Sequence, residues 1–309
     1  MKRIGLLLLA VLLVSSAALF AHRALAEATP LAIAAWRLGL ASLFFLAWEA
    51  ALARRTQSLI APQPPPPDAD DKPMQATLRA LRLALAGLCL AGHFVAWFAS
   101  LQYTPVARAT LLACTTPLWT TLGGVLLRRQ RFTATYGVAL ALAALGTALV
   151  THGAHQAPSP ATLRGDVLAT LAGMLFAVYL LLVEGLHRTL SSRRQVTVTY
   201  TVAALALWLG FLAQGGITLR YSPGVWRALL GMTLGPQILG HTLLNALLRH
   251  FPSSTIAFAI LLEPVLAAWL AFVLLGQTVT PGQTVGGVVV LATLALVLVR
   301  QAPASAPDL

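Results

Sequence analysis

Ten long apolar segments, joined by short polar connections, occupy most of the chain. They fall at approximately residues 4–26, 30–53, 78–102, 105–127, 134–151, 165–187, 195–213, 225–249, 254–275 and 282–299. A helix needs about 20 apolar residues to cross ~30 Å of hydrocarbon at 1.5 Å per residue. Each segment is close to that length, so the pattern predicts ten membrane-spanning helices. Three polar stretches divide them. Residues 54–75 form a linker whose centre, Pro62 to Lys72, reads PQPPPPDADDK and favours an extended, solvated chain. Residues 153–164 form a loop between two halves, 1–152 and 165–300, and residues 301–309 read as a disordered tail.

The first segment also resembles a secretory signal, with Lys2-Arg3, an apolar run and Ala24-Leu25-Ala26 before Glu27. Its apolar run, Ile4 to Phe20, is longer than the usual ~7–15 residues of a signal core. Cleavage would also leave the first half one helix short of the second. It is therefore read as an uncleaved first helix.

Composition strengthens the membrane reading. The 309 residues are 58% hydrophobic and 10% charged, against about 25% charged in soluble domains; mean hydropathy is +0.79. The net charge of +12 does not point to nucleic acid, because Lys and Arg sit in short runs between apolar segments. With the N-terminus inside, ten crossings put 15 Lys/Arg inside and 5 outside, and leave Arg37 within a helix. That bias places both termini in the cytoplasm, the linker 54–75 inside and the loop 153–164 outside, in a multi-pass protein of the bacterial inner membrane. Cys89 and Cys114 lie inside apolar segments and read as small packing residues; they suggest no metal site or disulfide.

The halves can be laid on each other. Gly92-His93 and Gly240-His241 are 148 residues apart, and Thr116-Pro117 and Glu263-Pro264 are 147 apart. Five helices is an odd number, so the second half must enter the membrane from the opposite side, as an inverted repeat. The loops agree: Arg128-Arg129-Gln130-Arg131 follows the fourth helix, while the matching Gly276 to Thr280 is uncharged.

The stretch Gly240-His241-Thr242-Leu243-Leu244-Asn245-Ala246-Leu247 resembles the third helix of the second repeat in EamA-type proteins of the drug/metabolite transporter superfamily. So do Leu262-Glu263-Pro264-Val265 and the run from Leu275 to Gln283. Gln277 stands where a second Glu is common in the family, so no carboxylate role is assigned there. The resemblance implies an all-α integral membrane protein of ten helices, two inverted five-helix repeats around a central cavity, and a transport function. It leaves the substrate open among amino acids, nucleosides, sugar phosphates, cations and drugs.

Polar residues inside hydrocarbon are costly and each needs a partner, a cavity or water. Glu263, midway along the ninth segment, is either a substrate or proton group or a packing carboxyl. Pro117 and Pro264 cannot donate to the carbonyls of Ala113 and Ile260, so both helices should break there. Such paired breaks point to a central hinge or site, although a fixed bend for packing would look the same. Gln237, His241 and Asn245 recur at i, i+4, i+8, as do Cys89, His93 and Trp97. Gln237 and Asn245 are read as cavity-lining; His93 and His241, beside glycines, read first as packing residues. Trp97 and Trp119 lie deep enough to line a cavity, whereas Trp36, Tyr103 and Tyr179 read as interface anchors or packing. Arg37, two turns inside the second helix, can pair with a carboxylate, bind an anionic substrate or reach outward to water.

The expected function is a secondary transporter, an exporter of small metabolites, amino-acid-like compounds or drugs working by alternating access, as a monomer or homodimer. No Walker-type phosphate loop is present, and no cofactor or metal is expected. The alternatives are an integral-membrane enzyme, disfavoured because the only acidic cluster, Asp68, Asp70 and Asp71, lies in the proline linker, and a non-transporting scaffold or receptor.

Overall fold

The computed structural model describes residues 2–59, 73–104, 106–128, 133–151, 159–186, 190–215, 220–275 and 280–301. The core of the proline-rich linker, the outer part of the 153–164 loop and the tail after Gln301 lie outside the described residues, as do 129–132 and 276–279. Every regular element among the described residues is helical. By length and composition, seven helical stretches among them are apolar enough to cross a membrane, and Ala134–Gly146 and Thr284–Val297 are shorter apolar helices. Leu43, Leu81, Leu205 and Leu209 are each 60% exposed or more. Such a belt is costly in water and costs nothing in lipid.

The first apolar stretch is bent. α1 (Lys2–Ser15) gives way to α2 (Ala17–Ala24) at Ser16. The hydroxyls of Ser15 and Ser16 donate to the carbonyls of Val11 and Leu13, both at 2.7 Å, the back-bonding that bends helices at serine. α3 (Pro30–Leu59) opens on a proline, with the Thr29 hydroxyl accepting from the Ala32 N–H at 3.2 Å. α4 (Pro73–Ser100) follows the linker.

The fourth and ninth apolar segments are each two helices. α5 (Val106–Ala113) and α6 (Thr116–Arg128) are split at residues 114–115. α12 (Ser253–Ile260) and α13 (Glu263–Leu275) are split at residues 261–262. Each second piece carries its proline, Pro117 or Pro264, at the second position, where a missing N–H does no harm. The carbonyls freed one turn earlier find other donors. The Thr116 hydroxyl donates to Ala113 O at 3.0 Å, and the Cys114 thiol donates to Ile260 O at 3.7 Å. The two breaks therefore touch.

Between them lie α7 (Ala134–Thr151), α8 (Pro160–Val183) and α9 (Ser192–Ala213). α8 starts five residues before its apolar run because Ser159 and Thr162 form a reciprocal cap around Pro160. The eighth segment is not one α-helix. α10 (Pro223–Met232) passes into a π-helix, Thr233–His241, and then α11 (Thr242–Leu247). Pro236 lies inside the π-helical stretch, where its missing N–H breaks the i→i−4 ladder. α14 (Pro281–Gln301) ends the described chain.

α4 packs along α8 and α9, α3 along α9, α7 along α14, α1 along the π-helix, and α2 along α10. Gly240 makes the α1 contact possible: a Cβ there would sit 2.9 Å from the Val14 side chain. Trp36 stands edge-on to Trp208 and Trp226, with centroids 5.0 and 4.9 Å away, tying α3 to α9 and α10.

Candidate functional site

The breaks of the fourth and ninth segments, the Ser16 bend and the π-helix converge on one small cavity of about 30 Å³. Its wall comprises Val14, Ala17, Arg37, His93, Phe94, Trp97, Thr110, Ala113, Cys114, Thr116, Phe176, His241, Ile260 and Glu263. That volume admits about two water molecules and no organic molecule. A larger space of about 270 Å³ beside Pro117 and Leu261 is lined by apolar side chains and threonine. The smaller cavity is the candidate site, because the buried charges converge there.

Arg37 is the largest fully buried side chain, 0% exposed. It does not reach outward to water. Its Nε donates to Gln237 Oε1 at 2.6 Å, and its guanidinium carbon lies 4.2 Å from the centre of the Phe94 ring. Both Nη nitrogens are buried without a hydrogen-bond partner, so none of its N–H groups bonds to Glu263. A cation in such a place costs several kcal/mol unless something compensates it, and the face of Phe94 supplies about 2 kcal/mol when desolvated. Glu263 shares the cavity and its field reaches Arg37. As the first residue of α13 it also sits at the positive end of a helix, which favours a carboxylate.

Aromatic rings close the remaining wall. His93 lies against Phe94 and Phe176, both with centroids 4.8 Å away, and its Nδ1 is 2.9 Å from the Ala172 carbonyl. His241 stands edge-on to Phe94 and Phe176 at 5.5 and 5.7 Å.

The structure thus brings together Arg37, His93, Trp97, His241 and Glu263. It leaves Gln237, Asn245 and Trp119 out of the lining. Gln237 acts behind the wall by holding Arg37. Asn245 belongs to a separate buried network: it accepts from Tyr179 at 2.6 Å and Gln195 at 3.4 Å and donates to His241 O at 2.9 Å. Trp119 donates to the Thr115 hydroxyl at 3.1 Å. Tyr179, 1% exposed, is a core residue and not an interface anchor. His241 faces the cavity, while Gln237 and Asn245, four residues to either side, turn to Arg37 and Tyr179.

Phe94, Phe176, Thr110, Thr116 and Cys114, together with Val14 and Ala17 at the bend, were not singled out by pattern as cavity residues. A signal existed for Thr116: it precedes Pro117 as Glu263 precedes Pro264, 147 residues on. Among the described residues no three of His, Cys, Asp or Glu are grouped so as to hold a metal.

Polar contacts also gather at two ends of the bundle. At one end Arg108 and Asp166 form a two-bonded ion pair at 2.9 and 2.5 Å, and Arg164 covers Tyr103 at 4.7 Å. At the other, Arg193 pairs with Glu49 at 2.9 Å and Ser253 donates to Glu184 at 2.8 Å.

Comparison with known proteins agrees with this architecture. A solved crystal structure superposes with a TM-score of 0.74 over 97% of each chain at 17% identity, a likeness of fold alone. An uncharacterized transporter of Archaeoglobus fulgidus is 26% identical over 304 residues, covering 96% of this chain and 97% of its own. The EamA-like transporter family matches residues 1–152 and 163–299. Seven described helical stretches apolar enough to cross a membrane, and a family match over almost the whole chain, make this a multi-pass membrane protein that belongs to the EamA-like transporter family.

Proposed function

We propose that the protein is a ten-helix secondary transporter that exports small metabolites, amino-acid-like compounds or drugs by alternating access, with no enzymatic step. The observation that carries this reading is the small cavity, with Arg37 and Glu263 in its wall, where the two broken helices meet. Charged groups in hydrocarbon are retained for a reason, and discontinuous helices meeting at mid-bundle are the usual way carriers build a central site. At about 30 Å³ the cavity is too small for cargo, so cargo needs a wider conformation than this one.

Several observations support two inverted repeats of five helices. The family matches in two stretches of similar length. The packing pairs exchange when first-half and second-half elements are swapped: α4 with α8 corresponds to the π-helix with α1, and α3–α9 and α7–α14 map onto themselves. Under the same exchange, α6 against α8 corresponds to α13 against α1. The ion pair Arg108–Asp166 and the contacts of Arg193 and Glu184 then close opposite ends of the bundle. With both termini cytoplasmic, the Arg108 end faces outward.

The test is flux. Purified protein in liposomes is offered radiolabelled amino acids, sugars, nucleosides and lipophilic cations, with protein-free liposomes as the baseline. Saturable exchange of at least one class is expected. Failure of every class to exceed the baseline would overturn the transporter reading.

A further inference from the structure

We propose that Arg3, Arg249 and His250 form a site for the phosphate of an anionic phospholipid whose acyl chain lies along the exposed face of α1; its place in the cytoplasmic leaflet rests on the orientation proposed above. The three residues come from distant parts of the sequence. Arg3 stands in the first turn of α1, and Arg249 and His250 follow the end of α11. α1 packs along α11. That packing gathers the three at one end of the bundle, close enough for the charges of Arg3 and Arg249 to act on the His250 ring. All three side chains are exposed.

No carboxylate answers them. Arg249 donates to the Ser192 hydroxyl at 2.6 Å, a neutral partner. Among the described residues no acid pairs with Arg3, Arg249 or His250. Glu49 and Glu184, at the same end, are engaged by Arg193 and Ser253. α1 and α9 both begin here, at Lys2 and Ser192, so the positive ends of two helix dipoles add to the same field. Cations gathered without a counter-ion attract an anion. The surface beneath them makes that anion a lipid. Ile4 and Leu8, one turn apart on α1, are each 40% exposed and lead from Arg3 toward the hydrocarbon. A phospholipid held at Arg3 lays a chain on that face, whereas a free phosphate gains nothing from it. Each arginine near an anionic membrane surface is worth about fivefold in binding.

The experiment uses the full-length protein in detergent. Dioleoylphosphatidylglycerol, dioleoylphosphatidylcholine and the soluble headgroup glycerophosphoglycerol are added separately. Melting reads the gain in stability, and native mass spectrometry reads the lipid retained. Phosphatidylglycerol should stabilise more and be retained more than phosphatidylcholine, and the difference should shrink as salt is raised. Arg3→Gln and Arg249→Gln should each cut that preference about fivefold. Arg220→Gln, exposed before α10 at the other end of the bundle, should keep it. Each variant is compared with itself in the two lipids, so a general loss of stability cancels. Equal retention of both lipids by the wild-type protein overturns the site, and this comparison needs no variant to fold. An equal loss of preference in Arg220→Gln and Arg3→Gln traces it to net charge and overturns the site as well. A shift with glycerophosphoglycerol as large as with the whole lipid makes this a free phosphate-ester site and overturns the lipid assignment. Exchange in liposomes is measured separately, so failure of the lipid site leaves the transporter reading standing.

Discussion

Gly173 lies in α8 where that helix passes the break between α5 and α6. A Cβ at this position would sit 2.5 Å from the Ala113 carbonyl oxygen and 3.2 Å from the Thr115 hydroxyl. Ordinary contact begins at 3.4 Å, so Gly173→Ala must push backbone aside by about 1 Å. The oxygen it strikes is the carbonyl freed by Pro117, already bonded to Thr116 at 3.0 Å. Overpacking of this kind costs about 1–3 kcal/mol, partly offset by a gain of ~1 kcal/mol in helix propensity over glycine. The net loss should be up to about 2 kcal/mol, a fall of several degrees in apparent melting temperature. Gly210→Ala is the control. It lies in the last turn of α9, and its Cβ would meet Leu31 methyls at 3.6 and 3.8 Å, so it takes part of the propensity gain without a clash. Melting is followed by the monodisperse fraction on size-exclusion chromatography after heating in detergent. Because Ala113 lines the cavity, exchange by the Gly173→Ala protein should fall as well. A Gly173→Ala protein as stable as Gly210→Ala would refute the claim that the break is packed rigidly against α8.

Tyr179→Phe removes the bond to Asn245 and should cost about 0.6–1.7 kcal/mol of stability while leaving exchange at the wild-type rate; a selective loss of exchange would return Asn245 to the cavity. Glu27, exposed between α2 and α3, accepts from the Ser222 N–H at 2.7 Å, and the serine bonds followed by Arg23 hold its carboxyl below the usual value of 4.5. A lowered carboxylate contributes stability that is complete above its unfolded value and disappears as pH falls through the folded one. Melting from about pH 6 down to about pH 3 should therefore show a smaller acid-side fall in Glu27→Gln than in the wild type. For orientation, an impermeant thiol reagent on intact cells should label a cysteine at the exposed position Leu163 and spare one at Met74, since Cys89 and Cys114 are buried; the reverse pattern would invert the proposed topology.

Local features of this chain were legible because membrane physics acts locally. Apolar segments long enough to cross hydrocarbon can be read from about 20 residues at a time. The breaks before Pro117 and Pro264 were readable for the same reason: a missing N–H acts within one turn. What the tertiary structure decided is which polar groups meet. Arg37 and Gln237 are 200 residues apart, and nothing in either segment states that one will hold the other. The i, i+4 stripe of Gln237, His241 and Asn245 divides because Arg37 takes up Gln237, and Tyr179 and Gln195 take up Asn245, all from other helices. The bend at Ser16 depends on hydroxyls folding back onto carbonyls, a choice serine makes only in context. Sequence periodicity says which face of a helix is polar. Only the packing of one half against the other says whether that face meets a cavity, as for His241, or another side chain, as for Asn245.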